Sequence, residues 1–366
     1  MNINRPYIII PKLIIQPTWG GTYIAKMKGW QNLPVLQDKK IGQSYELFSG
    51  TKLATSIFDT SDPKFIPEIG FPDSPETVRD SFNLVEGADY IQLADENMPL
   101  LIKFTQALGN SFQLHIKHDV SDARWKPKAE SWYYFEDGKL TFGIKKGADI
   151  DEYKKICLEI DKFMQNLSRE IKGKQKSLDV GRAEAHEFIL NKNPWQFVNV
   201  YEVKKYEIVD PSLGGIHHSW EEDNEKYPLG NVLYEIQEDV MDPISTIRAF
   251  DQGKIKDDGS IRELNIDDYF KYLDKTEENN NIDRNRTLSN SVYAMEVLNI
   301  DKNVSLNTNG HFHHLFVRDG SVEIQSNAVN LKVGQGHSVF VPKELGDYNI
   351  LSGSDETCVL KTVSSK

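Results

Sequence analysis

Short apolar runs with an alternating pattern dominate two separate stretches of the chain. In the first, runs on both sides of Asp137-Gly138 alternate as β-strands do, and an Asp-Gly pair between such runs is typical of a two-residue hairpin turn. In the second, the same arrangement surrounds Asp319-Gly320, and the alternation continues as far as Val341. The pattern therefore predicts two β-rich regions, each with a hairpin at its Asp-Gly pair.

Between these regions, apolar residues recur at spacings of three and four, the period of an amphipathic helix. They are Tyr153, Ile156, Ile160, Phe163, Met164, Leu167 and Ile171. The polar segment 172–177 ends this helix, and a second short helix is expected before a long strand pattern from Trp195 to Val209. We expect a helical insert at residues 148–194 within a mainly β chain.

The order of these patterns predicts three parts. Residues 1–147 together with 195–272 form a first β domain, residues 148–194 the helical insert, and residues 287–366 a second, C-terminal β domain. The polar stretch Asp274 to Arg286 is rich in Asn and charge and is expected to link the two β domains.

Composition narrows the range of partners. The 366 residues include 43 Lys and Arg against 55 Asp and Glu, a formal net charge of −12. This charge opposes non-specific binding to nucleic acid or to an anionic membrane, so we expect neither as a partner. An anionic substrate would need a local basic pocket.

Cys157 and Cys358 form no CxxC pair, which disfavours a disulfide framework or a thiolate zinc site and suits a reducing cytoplasm.

Gln113 and His115 are candidate metal ligands, because side chains two residues apart on a strand point to the same face. Glu130 begins the strand that leads to the first Asp-Gly pair, and His217 follows the long strand pattern. One amide oxygen, one carboxylate and two imidazoles make a mixed set without thiolate, which suits a catalytic zinc with room for water or substrate. From spacing alone, this set is a hypothesis.

Longer motifs surround these candidates. Near them stand Ser111-Phe-Gln113-Leu-His115, Lys128-Ala-Glu130-Ser-Trp132-Tyr133, Gly215-Ile-His217 and Leu233-Tyr-Glu235-Ile-Gln237. Elsewhere stand Trp19-Gly20-Gly21, Ile41-Gly42-Gln43-Ser44, Pro99-Leu-Leu-Ile-Lys103, Thr246-Ile-Arg248-Ala-Phe250-Asp251, Arg262-Glu263-Leu264 and Phe340-Val-Pro342. No single motif is specific. Together and in this order, they resemble the motifs of type I mannose-6-phosphate isomerases over nearly the whole chain.

The resemblance implies a cupin (jelly-roll) fold, a double β-barrel with a helical insert, in which the first cupin domain carries the metal site. It implies that Gln113, His115, Glu130 and His217 bind one zinc ion per subunit. It also implies that the protein is an aldose-ketose isomerase that interconverts mannose 6-phosphate and fructose 6-phosphate, so that a hexose 6-phosphate is its substrate.

Such a reaction moves a proton between carbons 1 and 2 of the sugar through an enediol-like intermediate, whose oxygens a zinc ion or a fixed cation stabilises. The resemblance implies this cationic role for Arg248 and Lys128. Glu235, a water on the zinc ion and Lys128 are candidates for the base. Glu238 competes with Glu235, because the span to Arg248 is a few residues longer than usual. Ser111 and Lys128 are candidates for binding the phosphate.

Four positions depart from the family's pattern: Gln43, Ile116, Pro127 and Asn265 replace its Glu, Pro, Gly and His. None of them removes a proposed ligand. The departures leave open a non-catalytic or regulatory cupin that binds sugar phosphates. A cupin oxygenase would use iron with two histidines and one carboxylate, and the matched Gln113 argues against this class.

The remaining histidines are interpreted as structural. His311 and His313 match the general HxH pattern of cupin metal sites, but no acidic partner follows at a suitable spacing, so we expect packed or solvated side chains. His118 and His218 each neighbour a proposed ligand and are expected to face the opposite side, beside the site or at the surface.

Overall fold

The structure is a computed structural model that describes residues 4–54, 68–70, 90–92, 98–212, 218–282 and 287–365. The chain divides into two compact units. Unit 1 comprises Met1–Gln106, Leu233–Asp239 and Asn285–Lys366, and unit 2 comprises Ala107–Val232 and Val240–Arg284. This division follows spatial contacts, whereas the sequence-based boundaries follow changes in predicted secondary structure, and those boundaries stay a prediction.

Unit 1 is built mainly of strands. Those lying wholly or mostly in it are β1 Tyr7–Ile10, β2 Lys12–Ile15, β3 Ile41–Leu47, β4 Lys52–Ala54, β5 Glu68–Gly70, β6 Tyr90–Gln92, β7 Leu100–Ala107, β14 Asn231–Glu238, β16 Leu288–Ser289, β17 Tyr293–Asn299, β18 Asn303–Asn307, β19 His313–Asp319, β20 Ser321–Gln325, β21 Asn330–Gly334, β22 Ser338–Val341, β23 Asp347–Ser352 and β24 Cys358–Ser364. Its helical segments are α1 Tyr23–Met27 and a 3-10 turn at Pro34–Leu36.

The strands of unit 1 form stacked sheets. One has the order β16-β17-β24-β19-β22-β1-β4-β6, a second β18-β23-β20-β21, and β14-β7-β3-β2-β5 lie side by side in a third. Alternate residues of the first two sheets pack into one apolar core, which includes Leu315, Val317, Ile324, Val339 and Ile350. The period-2 pattern of the sequence is what allows each strand to bury one face there.

Unit 2 combines strands with helices. Its strands are β8 Phe112–Leu114, β9 Glu130–Tyr134, β10 Gly138–Ile144, β11 Val198–Val203, β12 Ile208–Val209, β13 His218–Trp220 and β15 Ile247–Phe250. Its helices are α2 Ile150–Lys172, α3 Leu178–Lys192, α4 Asp242–Ser245 and α5 Ile266–Tyr272, with 3-10 turns at Pro194–Phe197 and Glu278–Asn280. A five-stranded sheet has the order β11-β10-β13-β8-β15, and β12 pairs with β9.

The predicted helical insert is confirmed, and its first helix shows why it forms. The Asp149 side chain accepts hydrogen bonds from the backbone N–H groups of Asp151 and Glu152, which caps the N-terminus of α2. The apolar stripe of this helix packs into one core with Phe112 and Leu114 of β8. One face of the five-stranded sheet is thereby covered, which leaves its other face for polar side chains.

Both predicted Asp-Gly hairpins are wrong. Asp137-Gly138 joins β9 to β10, but β9 pairs with β12 while β10 lies between β11 and β13 in another sheet. Asp319-Gly320 likewise joins β19 and β20, which belong to different sheets. Gly320 has φ +71°, and a Cβ there would collide with Ser354 and Glu356. Each pair is therefore a corner at which the chain changes sheets.

Candidate active site

Strand β8 places a row of polar side chains on the face of the five-stranded sheet opposite the helices. Gln113 lies directly opposite His218 of β13 and Arg248 of β15. Directly opposed residues of antiparallel strands share a face, and so do residues two apart on one strand. Ser111 and His115 therefore join this row.

Three side chains of this unit approach one another closely enough to share a metal ion. Coordinating atoms of His115, Glu130 and His218 all lie within 4.8 Å of one another. The three residues are 1%, 2% and 1% exposed. Among the described residues, these three form the single group of three or more His, Cys, Asp and Glu side chains that could hold a metal.

The contacts of His115 define what it can offer. Its Nδ1 lies 2.7 Å from the backbone oxygen of Ser245, an acceptor, so Nδ1 carries the hydrogen in that contact. Its Nε2 lies 3.2 Å from Oε2 of Glu130. An imidazole lone pair and a carboxylate oxygen this close need a proton or a metal ion between them. A backbone acceptor on the far nitrogen is also the usual support of a metal-binding histidine.

His218 is suited to the same role. It is fully enclosed, and its Nδ1 has no hydrogen-bond partner. Burial lowers the pKa of His218 to about 3, although the charge of Glu130 opposes the shift. A neutral imidazole with an unused nitrogen is what a metal ligand requires. The expectation that His218 faces away from the site or lies at the surface does not hold.

Glu130 is fixed as a carboxylate. Its Oε1 accepts a hydrogen bond of 2.9 Å from Nε1 of Trp132. Burial on its own raises the pKa of Glu130, but the hydrogen bond with His115 and the charge of Lys128 outweigh it and hold the pKa below its usual range. Trp132 therefore orients the carboxylate.

The other two proposed ligands stay predictions. Oε1 of Gln113 accepts a hydrogen bond of 3.0 Å from Ser111, and the register places Gln113 beside His218. His217 lies outside the described residues. The metal-binding assignment of both residues rests on the sequence resemblance.

Two cations, Lys128 and Arg248, share the carboxylate of Asp242, and Lys128 also lies beside Glu130. Nζ of Lys128 is 3.8 Å from Oε2 of Glu130 and 3.1 Å from Oδ1 of Asp242. Nε of Arg248 donates to Oγ of Ser111 at 3.0 Å, and its Nη2 lies 3.4 Å from Oδ2 of Asp242. The structure thus brings Ser111, Lys128 and Arg248 together in unit 2.

Glu235 belongs to unit 1, where it has its own partners. Its Oε1 forms an ion pair of 3.0 Å with Lys103 and accepts a hydrogen bond of 2.6 Å from Gln237. Its Oε2 accepts from Thr105 at 3.2 Å. The catalytic role proposed for Glu235 stays a prediction.

No protein-family profile matches the chain, and no curated protein matches it in sequence. Solved structures do match. A protein assigned as a mannosephosphate isomerase from Archaeoglobus fulgidus has 15% identity and a TM-score of 0.63, with 100% of each chain covered. The mannose 6-phosphate isomerase from Bacillus subtilis has 15% identity and a TM-score of 0.61, covering 98% of this chain and 99% of that one. The chain has the fold of these isomerases.

A further structure with this fold is the mannose 6-phosphate isomerase from Salmonella typhimurium, solved with zinc and its substrate fructose 6-phosphate. It has 11% identity and a TM-score of 0.58, covering 98% of this chain and 100% of that one. The mainly β cupin fold expected from the sequence is thereby confirmed. None of the helices in the described ranges is both long and apolar enough to span a membrane.

Sequence reasoning missed His218 and Asp242. Two adjacent histidines on a strand face opposite sides, and only the register of β13 against β8 shows that His218 shares a face with Gln113. Asp242 lies in the lengthened span before Arg248, and no motif marks it. The sequence signal that was available is the tandem His217-His218 itself, in which either residue could face the metal.

Proposed function

We propose that the protein is a zinc-dependent aldose-ketose isomerase that interconverts mannose 6-phosphate and fructose 6-phosphate. The observation that carries this proposal is the buried group of His115, Glu130 and His218 with the Lys128 ammonium 3.8 Å from its carboxylate, in the fold of mannose 6-phosphate isomerases. The neutral imidazole of His218 and the lone pair of His115 beside a carboxylate fit a zinc ion.

The zinc ligands would be His115, Glu130, Gln113 and one of the pair His217 and His218. Zinc, when bound, supplies a Lewis acid that polarises a carbonyl or hydroxyl oxygen of the sugar. Ser245 holds the His115 ring through its backbone oxygen, and Trp132 holds the Glu130 carboxylate. These contacts fix the direction of the two ligands before any substrate enters.

Lys128 and Arg248 would supply fixed positive charge. Proton transfer between carbons 1 and 2 develops negative charge on the two sugar oxygens, and preorganised cations in a site with little water stabilise such charge strongly. Lys128 is 2% exposed, so water screens its charge poorly. Arg248 donates its Nε–H to Ser111 and has further N–H groups for the phosphate, and Ser111 can turn its hydroxyl hydrogen from Gln113 to the phosphate. Glu235 is our candidate for the base, and Lys128 is the alternative in its uncharged form, in which case Arg248 alone would supply the fixed charge.

The decisive experiment measures fructose 6-phosphate formation from mannose 6-phosphate by zinc-loaded protein, before and after chelation and after zinc is returned. We expect turnover that chelation abolishes and zinc restores. Glu130→Ala is the metal-deficient control. Zinc-loaded protein that binds hexose phosphates without turnover above this control would instead support a sugar-phosphate-binding cupin.

A further inference from the structure

A single carboxylate bridges the two cations of the candidate site. Oδ1 of Asp242 lies 3.1 Å from Nζ of Lys128, and Oδ2 lies 3.4 Å from Nη2 of Arg248. Each oxygen thus faces one cation, and Oδ1 also accepts a hydrogen bond of 3.2 Å from Oγ1 of Thr246. The two oxygens of a phosphate or a carboxylate ligand would make the same pair of contacts.

The exposure of the three side chains is unequal. The side chains of Lys128 and Arg248 are 2% and 14% exposed, whereas that of Asp242 is 61% exposed. The neighbouring residues Met241 and Pro243 are exposed as well. Asp242 therefore covers the two cations from the solvent side, where an incoming anion would arrive.

The bridge is weak enough to open. The carboxylate end of the bridge is 61% exposed, so water solvates it once it is released. The backbone of the segment is held separately, since the N–H of Thr246 donates to the oxygen of Asp242 at 2.9 Å, and Ser245 supports His115. The Asp242 side chain can therefore rotate away while α4 and the candidate metal ligands keep their positions.

We propose that Asp242 is an internal anion that occupies the Lys128–Arg248 site in the free protein and is displaced when an anionic ligand binds there. This inference rests on the proposed function for the identity of the ligand, a phosphorylated sugar. A ligand must replace the carboxylate to reach both cations, so neutral sugars gain nothing there. Asp242 thus lowers the affinity of this site for every anion by the same factor, so that weakly binding anions do not occupy it.

The test is calorimetric titration of inorganic phosphate into zinc-loaded protein at fixed pH and ionic strength. Asp242→Asn should bind phosphate about fivefold more tightly than the wild type, the factor that corresponds to a pair of about 1 kcal/mol. Asp242→Glu should restore wild-type affinity. Glu225→Gln, which removes one exposed carboxylate elsewhere in unit 2, should leave the affinity unchanged, and Arg248→Ala should abolish binding.

Unchanged or weaker phosphate binding in Asp242→Asn would overturn the proposal, as would phosphate binding that survives in Arg248→Ala. If Asp242→Asn does not fold, Asp242→Ser provides the same comparison. Kinetics separate this inference from the proposed function. We expect Asp242→Asn to lower KM for the hexose phosphate by about the same factor without raising kcat. Tighter phosphate binding in a protein without turnover would support the inference and contradict the isomerase.

Discussion

Buried histidines in the two units of this protein have different surroundings. His115, which follows β8 in unit 2, has a backbone oxygen at Nδ1 and the Glu130 carboxylate at Nε2. On β19 in unit 1, Nδ1 of His313 lies 2.6 Å from the Tyr348 hydroxyl, and Nδ1 of His314 lies 2.8 Å from the Tyr234 hydroxyl. A hydroxyl can donate or accept, so it satisfies Nδ1 of a neutral imidazole without any cation.

We expect the partner of a histidine, and not the HxH pattern, to decide whether a site attracts a metal. Burial lowers the pKa of His313 to about 4 and that of His314 to about 3, so both stay neutral at physiological pH. Being adjacent on a strand, they point to opposite faces and cannot share one ion. The interpretation of His311 and His313 as non-ligands stays a prediction, and the Tyr348 hydroxyl on His313 supports it.

The largest effect is expected from removing the Glu130 carboxylate, the group that distinguishes the surroundings of His115 from those of His313. Glu130→Gln should reduce zinc affinity by more than about a hundredfold, since a neutral amide replaces a charged ligand. His313→Ala should leave zinc content unchanged. Elemental analysis of both variants after zinc loading and gel filtration measures this. Zinc that follows His313 instead would place the metal in unit 1.

The second prediction separates the two adjacent histidines. His218→Ala should reduce zinc affinity by roughly tenfold to a hundredfold, because it removes a neutral imidazole whose Nδ1 has no other partner. His217→Ala is the matched control, with the same change one residue away. Competition with a chromogenic chelator measures both affinities. A larger loss in His217→Ala would return the ligand to the residue that the resemblance indicates.

The sequence predicts local structure well where one chemical pattern decides it. The three- and four-residue spacing from Tyr153 to Ile171 matches α2, whose N-cap Asp149 and last-turn cations supply the usual end signals. The alternating runs match strands. Each of these features depends on residues that are close together in the sequence, so the sequence alone is enough to predict it.

Pairing between distant strands is not contained in such patterns. Asp137-Gly138 has the composition of a hairpin turn. The strands on its two sides, β9 and β10, nevertheless lie in different sheets, and β10 pairs with β11 and β13. For the same reason, the choice between His217 and His218 depends on the register with Gln113. The motifs carry the residue types of the site, whereas its geometry comes from contacts far apart in sequence.

The third prediction tests the other face of the five-stranded sheet. Glu221, just after β13, is buried among donors, with Ser219 at 2.5 Å, Trp195 at 2.7 Å and Gln252 at 3.2 Å. Burial raises the pKa of Glu221 to about 7 from 4.5, although hydrogen bonds and the charge of Lys139 oppose the shift. The folded protein therefore binds a proton that the unfolded chain releases.

Because the folded-state pKa is raised, this carboxyl favours folding at low pH, and its contribution falls as the pH rises from about 4.5 to about 7. Glu221→Gln removes the ionisation, and its amide can donate to Ser219 while its oxygen accepts from Trp195. The variant should gain roughly 3 kcal/mol over the wild type across this window. Urea unfolding at pH 4.5 and pH 8 measures the difference. A constant offset between the two proteins would show that Glu221 is charged throughout. Zinc content should not change.

The smallest expected effect concerns the hydroxyl that satisfies His314. Tyr234→Phe removes a group that contacts His314 at 2.8 Å and Thr362 at 3.0 Å. Nε2 of His314 already has no hydrogen-bond partner, so the variant leaves its ring with none. An unsatisfied buried polar group costs about 1–3 kcal/mol, and we expect urea unfolding to show that the free energy of unfolding falls by about 1–2 kcal/mol.

The control is Tyr206→Phe at an exposed position, which should change the free energy of unfolding by less than about 0.5 kcal/mol. Zinc content should match the wild type in both, because a tyrosine-satisfied histidine has structural value only. Zinc lost from Tyr234→Phe would mean that the surroundings of His314 affect metal binding, and the contrast between His115 and His314 would no longer hold.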